Sequence, residues 1–257
     1  MKAVFKYLLA TLVLALTAAL IVLTALQADG ARAHTACHHV VIENESDPGQ
    51  RFLPDEDVLR ELEKNFGSLY GVPLEKLDLH AMEELFDDKS AVQKSEVFVC
   101  YPDSSLHIRI REKIPFLRFQ CEGNGYYCDR EGRLFPLQAH YSAWVSVVDG
   151  HLPIERAKEA DKMSNKEKRW LKDILSLAEY MQDDRRWKHR CTQIHVGRNG
   201  SISLAFDGWD EIFLIGDCRD LDSKFRRIEQ YICTVRPASG KTYKSVNVRF
   251  DGQIICQ

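Results

Sequence analysis

The longest hydrophobic segment of the chain lies near its N-terminus. Residues 8–26 read LLATLVLALTAALIVLTAL, a run of 19 positions without a charged side chain. A helix of that length spans roughly 28 Å, close to the hydrocarbon thickness of a bilayer. Lys2 and Lys6 precede the segment, and Asp29 is the first charged residue after it. The pattern predicts a single membrane anchor over residues 8–26, with the N-terminus in the cytoplasm and the rest of the chain outside it.

A cleaved signal peptide is the alternative for this segment. Ala31-Arg32-Ala33 has the A-x-A form of a cleavage site. The apolar core of a signal peptide is only about 7–15 residues long, which favours the uncleaved anchor. A lipoprotein attached through Cys37 is a weaker alternative, because His34-Thr35-Ala36 is a poor lipobox.

Residues 38–112 change from a strand pattern to a helical pattern and back. His38–Ile42 is a short apolar run that predicts a strand. A helix is predicted to begin after Pro54, with acidic residues in its first turn, and to end at Gly67. A second helix has its apolar positions at Leu79, Met82, Leu85 and Phe86. Two strands are predicted after it, Glu96–Tyr101 and Leu106–Arg111. The order strand-helix-helix-strand-strand predicts a complete small α/β domain.

Residues 113–257 show short strand patterns separated by turn signals. The turn dipeptides are Asn124-Gly125, Glu131-Gly132, Asn199-Gly200 and Asp251-Gly252. Ser164 and Glu167 form a capping box before one helix. A second helix has its apolar positions at Phe225, Ile228 and Ile232. This pattern predicts a mostly antiparallel β domain with flanking helices.

Tyr243–Phe250 is predicted to be the last long strand. Its alternation places Val246, Val248 and Phe250 on a buried face. A strand late in the chain can lie at a sheet edge, where open N–H and C=O groups recruit a partner strand. The alternatives are that the strand lies inside the sheet or that the chain covers its own edge, and the sequence favours none of these.

Composition excludes one class of partner. Hydrophobic residues make up 45% of the 257 residues, enough for one large or two small cores. Charged residues make up 28% and the net charge is -3, which argues against nucleic acid as a partner.

Eight cysteines on the oxidising side of a membrane suggest disulfides, although eight cysteines allow 105 pairings. The densest stretch is CEGNGYYCDREGRLFPL, from Cys121 to Leu137. A turn at Asn124-Gly125 would place Cys121 opposite Cys128, within disulfide range, so these two are the disulfide candidates. The alternative is a reactive Cys128 assisted by Asp129 or Glu131. No histidine lies in the stretch, which favours structural cysteines.

Other candidate chemistry is weak. His34, Cys37, His38 and His39 have no second ligand pair at a useful spacing, so no metal site is predicted. Glu83-Glu84 and Asp87-Asp88 look like the solvent face of a helix. The sequence has no G-x-S-x-G, no H-E-x-x-H and no phosphate-binding glycine loop. Neither catalysis nor a cofactor is predicted.

Several motifs, taken in order, resemble the FtsQ/DivIB family of bacterial cell-division proteins, and most closely its Bacteroidetes-type members. They are LHIRIREKIPFLRF (Leu106–Phe119), YYCDREGRLFPL, YSAWVSVVDG (Tyr141–Gly150) and the C-terminal YKSVNVRFDGQIIC. The similarity covers nearly the whole chain. Its departures are the very short cytoplasmic tail, the eight cysteines, Cys128 at a position that is commonly aliphatic, and Cys256 beside the proposed edge, where a disulfide would limit strand addition.

The resemblance implies an α+β protein with a defined order of segments. These are a cytoplasmic tip (1–7), the transmembrane anchor (8–26), a juxtamembrane linker (27–37), a POTRA-like β-α-α-β-β domain (38–112) and the family's β domain (113–257). It implies a single-pass protein of the cytoplasmic (inner) membrane, with its bulk in the periplasm, acting without catalysis as a divisome scaffold at the division septum.

The resemblance also implies partners and a binding edge. The expected partners are FtsB-like and FtsL-like proteins, with FtsK-like proteins and septal peptidoglycan synthase components as further candidates. The expected partner-binding residues are Tyr243, Lys244, Ser245, Val246, Asn247, Val248, Arg249 and Phe250, flanked by Phe225 and Arg226. The alternative function is that of a POTRA-containing envelope-assembly or transport accessory protein. A secreted hydrolase is a third class, for which the sequence shows no catalytic cluster.

Overall fold

The computed structural model describes residues 12–24, 35–121, 123–154, 162–241 and 243–257. Residues 12–24 are helical and exposed. Within the described ranges, no helix has both the length and the hydrophobicity needed to cross a bilayer. The ends of the predicted anchor, the cytoplasmic tip and Ala31-Arg32-Ala33 lie outside these ranges, so the anchor stays a prediction.

The chain divides between Glu112 and Lys113 into two compact units. The elements of the first unit beyond residue 35 are β1 (His39–Asn44), α1 (Asp55–Phe66), α2 (Leu79–Asp87), β2 (Val92–Cys100) and β3 (Ser105–Glu112), with short 3₁₀ turns at Pro48–Gln50 and Leu74–Lys76. The sheet order is β1-β3-β2, with β1 parallel and β2 antiparallel to β3. The predicted order of two helices between the first and second strands is confirmed.

Local sequence signals explain where the helices of the first unit begin and end. Pro54 precedes α1, acidic residues occupy its first turn, and Gly67 ends it with a positive φ of 77°. The carboxylate of Asp78 caps α2 by accepting a hydrogen bond from the backbone N–H of Ala81, at 3.0 Å. The helices and β3 share a core that includes Val58, Leu62, Met82, Phe86, Leu106, Ile108 and Ile110.

Two carboxylates of α2 protect the outer edge of β2. Glu83 accepts a hydrogen bond from the backbone N–H of Val97 at 2.8 Å, and Asp87 accepts one from that of Ser95 at 2.6 Å. These N–H groups point away from β3 and would otherwise be open to another strand. The expectation that Glu83 and Asp87 only line a solvent face is therefore wrong.

The second unit is built on one nine-stranded mixed sheet. Its elements are β4 (Leu117–Cys121), β5 (Asn124–Cys128), β6 (Leu134–Pro136), β7 (Ser146–Gly150), α3 (Asn165–Asp183), β8 (Cys191–Val196), β9 (Ile202–Phe206), β10 (Ile212–Gly216), α4 (Leu221–Gln230), a π-helical turn (Tyr231–Val235), α5 (Arg236–Ser239), β11 (Ser245–Asn247) and β12 (Ile255–Cys256). The sheet order is β12-β11-β10-β9-β8-β7-β4-β5-β6. The pairs β4–β7, β7–β8 and β10–β11 are parallel, and the other five pairs are antiparallel.

The long helix α3 supplies much of the apolar cover in the second unit. Both hydrogen bonds of the predicted capping box between Ser164 and Glu167 are present. The buried apolar residues of α3 are Leu171, Ile174, Leu177, Ala178 and Met181. The core they join also contains an aromatic cluster made of Trp187, Phe206, Phe213 and Phe225, with Trp209 at its margin.

The β4–β5 hairpin has a different register from the predicted one. The backbone turns just before Asn124, at Gly123 with a φ of 87°, and Cys121 faces Asn124. Cys128 faces Leu117, four residues from Cys121 along β4, or about 13 Å at the rise of an extended strand. That separation exceeds the reach of a disulfide, so the pairing of Cys121 with Cys128 is wrong.

Burial explains why this register is preferred. It pairs Leu117 with Cys128 and Phe119 with Tyr126, and all four side chains are buried. The predicted register would have placed Phe119 opposite Arg130, which is exposed in the following turn. Matching apolar faces therefore outweighs the local preference of Asn124-Gly125 for a turn.

Candidate partner-binding edge of the C-terminal sheet

The segment predicted as a long edge strand forms a short inner strand. Only Ser245–Asn247 pair as β11, which lies between β10 and β12. The chain reverses at Asp251-Gly252, where Gly252 has a φ of 67°, and returns as β12. The prediction that Tyr243–Phe250 is the edge is therefore wrong, and the alternative of an edge covered by the chain itself is the one found.

The inner side of β11 is joined to β10. The backbone N–H of Val248 donates to the carbonyl of Leu214 at 3.0 Å, and that of Ile212 donates to the carbonyl of Lys244 at 3.1 Å. The side chains of Val246 and Val248 are fully buried. The backbone of Val248 therefore serves the sheet interior and is not available to an added strand.

The outer side of β11 is covered by β12. Ser245 and Gln257 exchange two backbone hydrogen bonds, each 3.0 Å long. Val246 is paired with Cys256, and Asn247 with Ile255. The alternation of an antiparallel ladder then directs the N–H and C=O of Cys256 outward. A two-residue strand with one outward-facing residue offers almost nothing for a further strand to pair with.

Helix α4 holds the point at which the chain leaves β11. Arg227 donates two hydrogen bonds to the carbonyl of Val248, from Nε at 3.1 Å and from Nη2 at 2.9 Å. It also donates to Ser223 Oγ at 2.8 Å and to the carboxylate of Asp251 at 3.0 Å. The guanidinium thereby fixes both the end of β11 and the turn that leads to β12.

A second ion pair fixes the start of α4. Lys224 donates to the backbone carbonyl of Asp217 at 2.9 Å and to its carboxylate at 2.5 Å, and Arg219 donates to the same carboxylate at 2.6 Å. Burial alone would raise the pKa of Asp217, but the hydrogen bonds from Lys224 and Arg219 outweigh it and lower the pKa to about 2. The carboxylate is therefore charged at neutral pH and holds α4 beside the end of β10.

The proposed partner-binding residues fall into exposed, half-buried and buried groups. Lys244, Arg249, Phe250 and Arg226 are exposed, Tyr243, Ser245 and Asn247 are half-buried, and Val246, Val248 and Phe225 are buried. Phe225 is 2% exposed and packs on Tyr180 and Trp187, with ring centroids 4.9 and 5.0 Å away. It is a core residue and presents no surface to a partner, so its assignment as a flank is wrong.

The exposed apolar surface at this edge comes from Phe250 and Ile255, which are 51% and 38% exposed. Arg249 lies 5.5 Å from the ring centroid of Phe250. Sequence reasoning missed Ile255 and Arg227. The signals that could have found them are the apolar pair Ile254-Ile255 after the Asp251-Gly252 turn, and an arginine on the face of α4 that also carries Lys224 and Ile228.

The structure does not support Cys128 as the nucleophile of a hydrolase. Cys128 is fully buried, and burial raises the pKa of its thiol far above the usual range, which disfavours the reactive thiolate. Asp129 accepts hydrogen bonds from the backbone N–H of Arg133 at 2.8 Å and from its Nε at 2.6 Å. Arg133 also pairs with Glu131 at 3.0 Å. These three residues stabilise a turn, which is a structural role.

Comparison with known proteins gives one result. A family model described as FtsQ/DivIB, C-terminal related, matches residues 114–257, more than half of the chain. No curated protein matches the chain.

Proposed function

Because the chain belongs to the FtsQ/DivIB, C-terminal related family of bacterial cell-division proteins, we propose that it is a non-catalytic divisome scaffold. In this proposal the segment over residues 8–26 anchors it in the cytoplasmic membrane, and both units lie in the periplasm at the septum. The first unit, β-α-α-β-β in order, acts as a POTRA-like domain. The partners are FtsB-like and FtsL-like proteins, with FtsK-like proteins and septal peptidoglycan synthase components as further candidates.

The observation that carries the proposal is the construction of the β11–β12 edge. β12 is two residues long and exposes one residue's backbone groups, so a partner strand gains little by pairing with its outer side. If β12 leaves, the N–H and C=O groups of Ser245 and Asn247 become available. A partner strand would replace the hydrogen bonds between β11 and β12, each worth about 0.5–1.5 kcal/mol, with equivalent ones. The exchange would therefore cost little free energy of hydrogen bonding. We place the partner strand where β12 lies, with Phe250 and Arg249 beside it.

A reversible covalent lock tests this exchange. Val246 and Cys256 form a pair between the two hydrogen-bonded pairs of the β11–β12 ladder, a position where opposed Cα atoms are about 4.5 Å apart. Val246→Cys should therefore form a disulfide with Cys256 on oxidation and hold β12 in place. Binding of the extracytoplasmic segment of the organism's FtsB-like protein is then measured with oxidised and reduced protein.

The expected result is binding by reduced Val246→Cys and loss of binding on oxidation. The matched control is Val246→Cys combined with Cys256→Ser, which keeps the first substitution, cannot form this bond and should bind in both states. Equal binding by the locked protein, with the disulfide verified by peptide mapping, refutes strand exchange. No binding by the folded wild-type chain counts against the scaffold function itself.

The envelope-assembly alternative gains no support from the β2 edge, which is one of the two edges of the sheet in the first unit. Strand handling by such a domain would use an open sheet edge, and the β2 edge is covered over Ser95 and Val97 by the carboxylates of α2. We therefore retain the scaffold as the proposed function.

A further inference from the structure

Three potential metal ligands converge at the end of the β2–β3 hairpin in the first unit. They are Cys100 at the end of β2, Asp103 in the turn and His107 on β3. One ligand atom from each of the three lies within 4.8 Å of the others. Their spacing in the sequence is C-x₂-D-x₃-H, and the hairpin brings them together because Cys100 is the register partner of Ser105, two residues before His107.

The separations suit a zinc ion after small side-chain rotations. Zinc bonds of about 2.0–2.3 Å in a tetrahedral arrangement place neighbouring ligand atoms roughly 3.3–3.8 Å apart. A thiolate, a carboxylate and an imidazole are all common zinc ligands, and the two anions balance the charge of the ion. Three protein ligands leave one coordination position for water.

The ring of His107 is already held in one orientation. Its Nδ1 lies 3.2 Å from a carboxylate oxygen of Glu43, and Phe98 stacks on the ring with centroids 5.0 Å apart and planes 12° apart. Arg109 in turn holds Glu43 through Nε at 3.0 Å and Nη2 at 2.9 Å. A carboxylate on the far nitrogen of a histidine is the usual outer partner of a zinc-bound imidazole.

The other ring nitrogen faces the cluster. Nε2 of His107 lies 2.9 Å from Ser105 Oγ, and that oxygen lies 2.5 Å from Oδ1 of Asp103. When Nδ1 donates its hydrogen to Glu43, Nε2 carries the lone pair and faces the hydroxyl of Ser105, which itself contacts Asp103. Orientation, donor chemistry and spacing therefore all favour coordination through Nε2.

We propose that Cys100, Asp103 and His107 bind one zinc ion, with water as the fourth ligand and Glu43 as the outer partner of His107. The ion ties the end of β2 to the start of β3. This site belongs to the first unit, whereas β11 and β12 belong to the second, and the zinc proposal does not depend on the proposed scaffold function.

The test is a zinc titration of the full chain in a reducing buffer, with isothermal calorimetry as the readout. We expect about one equivalent bound tightly. Cys100→Ser and His107→Gln should each weaken binding at least about tenfold, and Glu43→Ala about 10- to 100-fold. Cobalt in place of zinc should give a thiolate-to-metal charge-transfer band that disappears in Cys100→Ser.

The matched controls remove a cysteine and a histidine elsewhere. Cys233→Ser changes an exposed cysteine, and His80→Gln changes an exposed histidine on α2, so both should bind zinc like the wild type. Circular dichroism checks that every variant is folded. Failure of the wild type to bind zinc, or equal affinity and an unchanged cobalt band in Cys100→Ser, overturns the proposal.

Discussion

The guanidinium of Arg227 offers the sharpest test of how the C-terminal edge is held. Arg227→Met keeps an unbranched apolar stem of similar reach but removes every donor. The carbonyl of Val248, on a fully buried residue, then loses two hydrogen bonds, and Asp251 loses its ion pair. We expect a loss of stability in the second unit and loosening of the turn that leads to β12.

The size of the loss follows from the partners of Arg227. A hydrogen bond from a charged donor contributes about 1.5–3 kcal/mol, and leaving a buried acceptor unsatisfied costs about 1–3 kcal/mol. The pair with Asp251 adds at most about 1 kcal/mol, because that carboxylate is 91% exposed. These contributions overlap, so the expected decrease in the free energy of unfolding is about 2–4 kcal/mol.

Tryptophan fluorescence during urea denaturation measures this decrease in the full chain. All four tryptophans belong to the second unit: Trp144, Trp170, Trp187 and Trp209. With a urea dependence near 2 kcal/mol per M, the midpoint should fall by about 1–2 M.

Arg226→Met is the matched control for this variant. Arg226 is exposed, and its Nε contacts the carbonyl of Asp222 at 3.3 Å, so its loss should change stability by less than about 0.5 kcal/mol. Equal midpoints for Arg226→Met and Arg227→Met would refute the anchoring role of the buried guanidinium.

Three further predictions concern the second unit. Gly150 and Gly200 both have a positive φ, but a Cβ added at Gly150 would collide with a backbone carbonyl, whereas one added at Gly200 would meet open space. Urea denaturation should therefore show Gly150→Ala to be roughly 1–3 kcal/mol less stable than Gly200→Ala. The lowered pKa of Asp217 contributes stability above the unfolded value of about 4, so the difference in urea midpoint between wild type and Asp217→Asn should disappear as pH falls toward about 2. Burial, with a hydrogen bond to Asp222, raises the pKa of Tyr180 to about 12. The stability that the neutral Tyr180 contributes is therefore present below about pH 10 and is lost as pH rises through about 12. A tyrosinate absorbance titration of the wild type should show a late step near pH 12 that is absent from Tyr180→Phe.

Helices were predictable because their signals are local. The first turn of α1, its end at Gly67 and the capping box at Ser164 each depend on residues within one or two turns. The alternation of Leu106, Ile108 and Ile110 also identified the buried face of β3 correctly. In these cases the pattern of one segment contains the information that decides its structure.

Strand pairing was not predictable in the same way, because it depends on distant residues. Asn124-Gly125 is a good turn sequence, yet Phe119 and Tyr126 determine the register by sharing a buried face. The strand at Tyr243–Phe250 ends early because Arg227, about 20 residues earlier in sequence, holds the carbonyl of Val248. No period-2 pattern within the segment reveals either effect.

The sequence did not predict the form of the C-terminal edge. The segment from residue 243 to residue 250 contains β11, which lies one strand in from that edge, and its role in partner binding stays a prediction. A two-residue strand such as β12 has too little sequence to show a pattern, so the element that covers the edge could not be identified. The sequence pattern did not group Cys100, Asp103 and His107, because their convergence depends on the pairing of β2 with β3.

The order of the nine strands has a consequence for synthesis. The strands β4 to β10 are neighbours in the sheet, with β6 at one end of the group and β10 at the other. The two strands synthesised later, β11 and β12, are added only beside β10. A nascent second unit can therefore bury most of its sheet while the side of β10 that β11 will cover is still bare. During that interval β11 and β12 do not yet cover the side of β10, so under the proposed function a partner strand present at that stage would meet the least resistance to joining the sheet. The proposed scaffold would then assemble with its partner more easily during its synthesis than after it has folded.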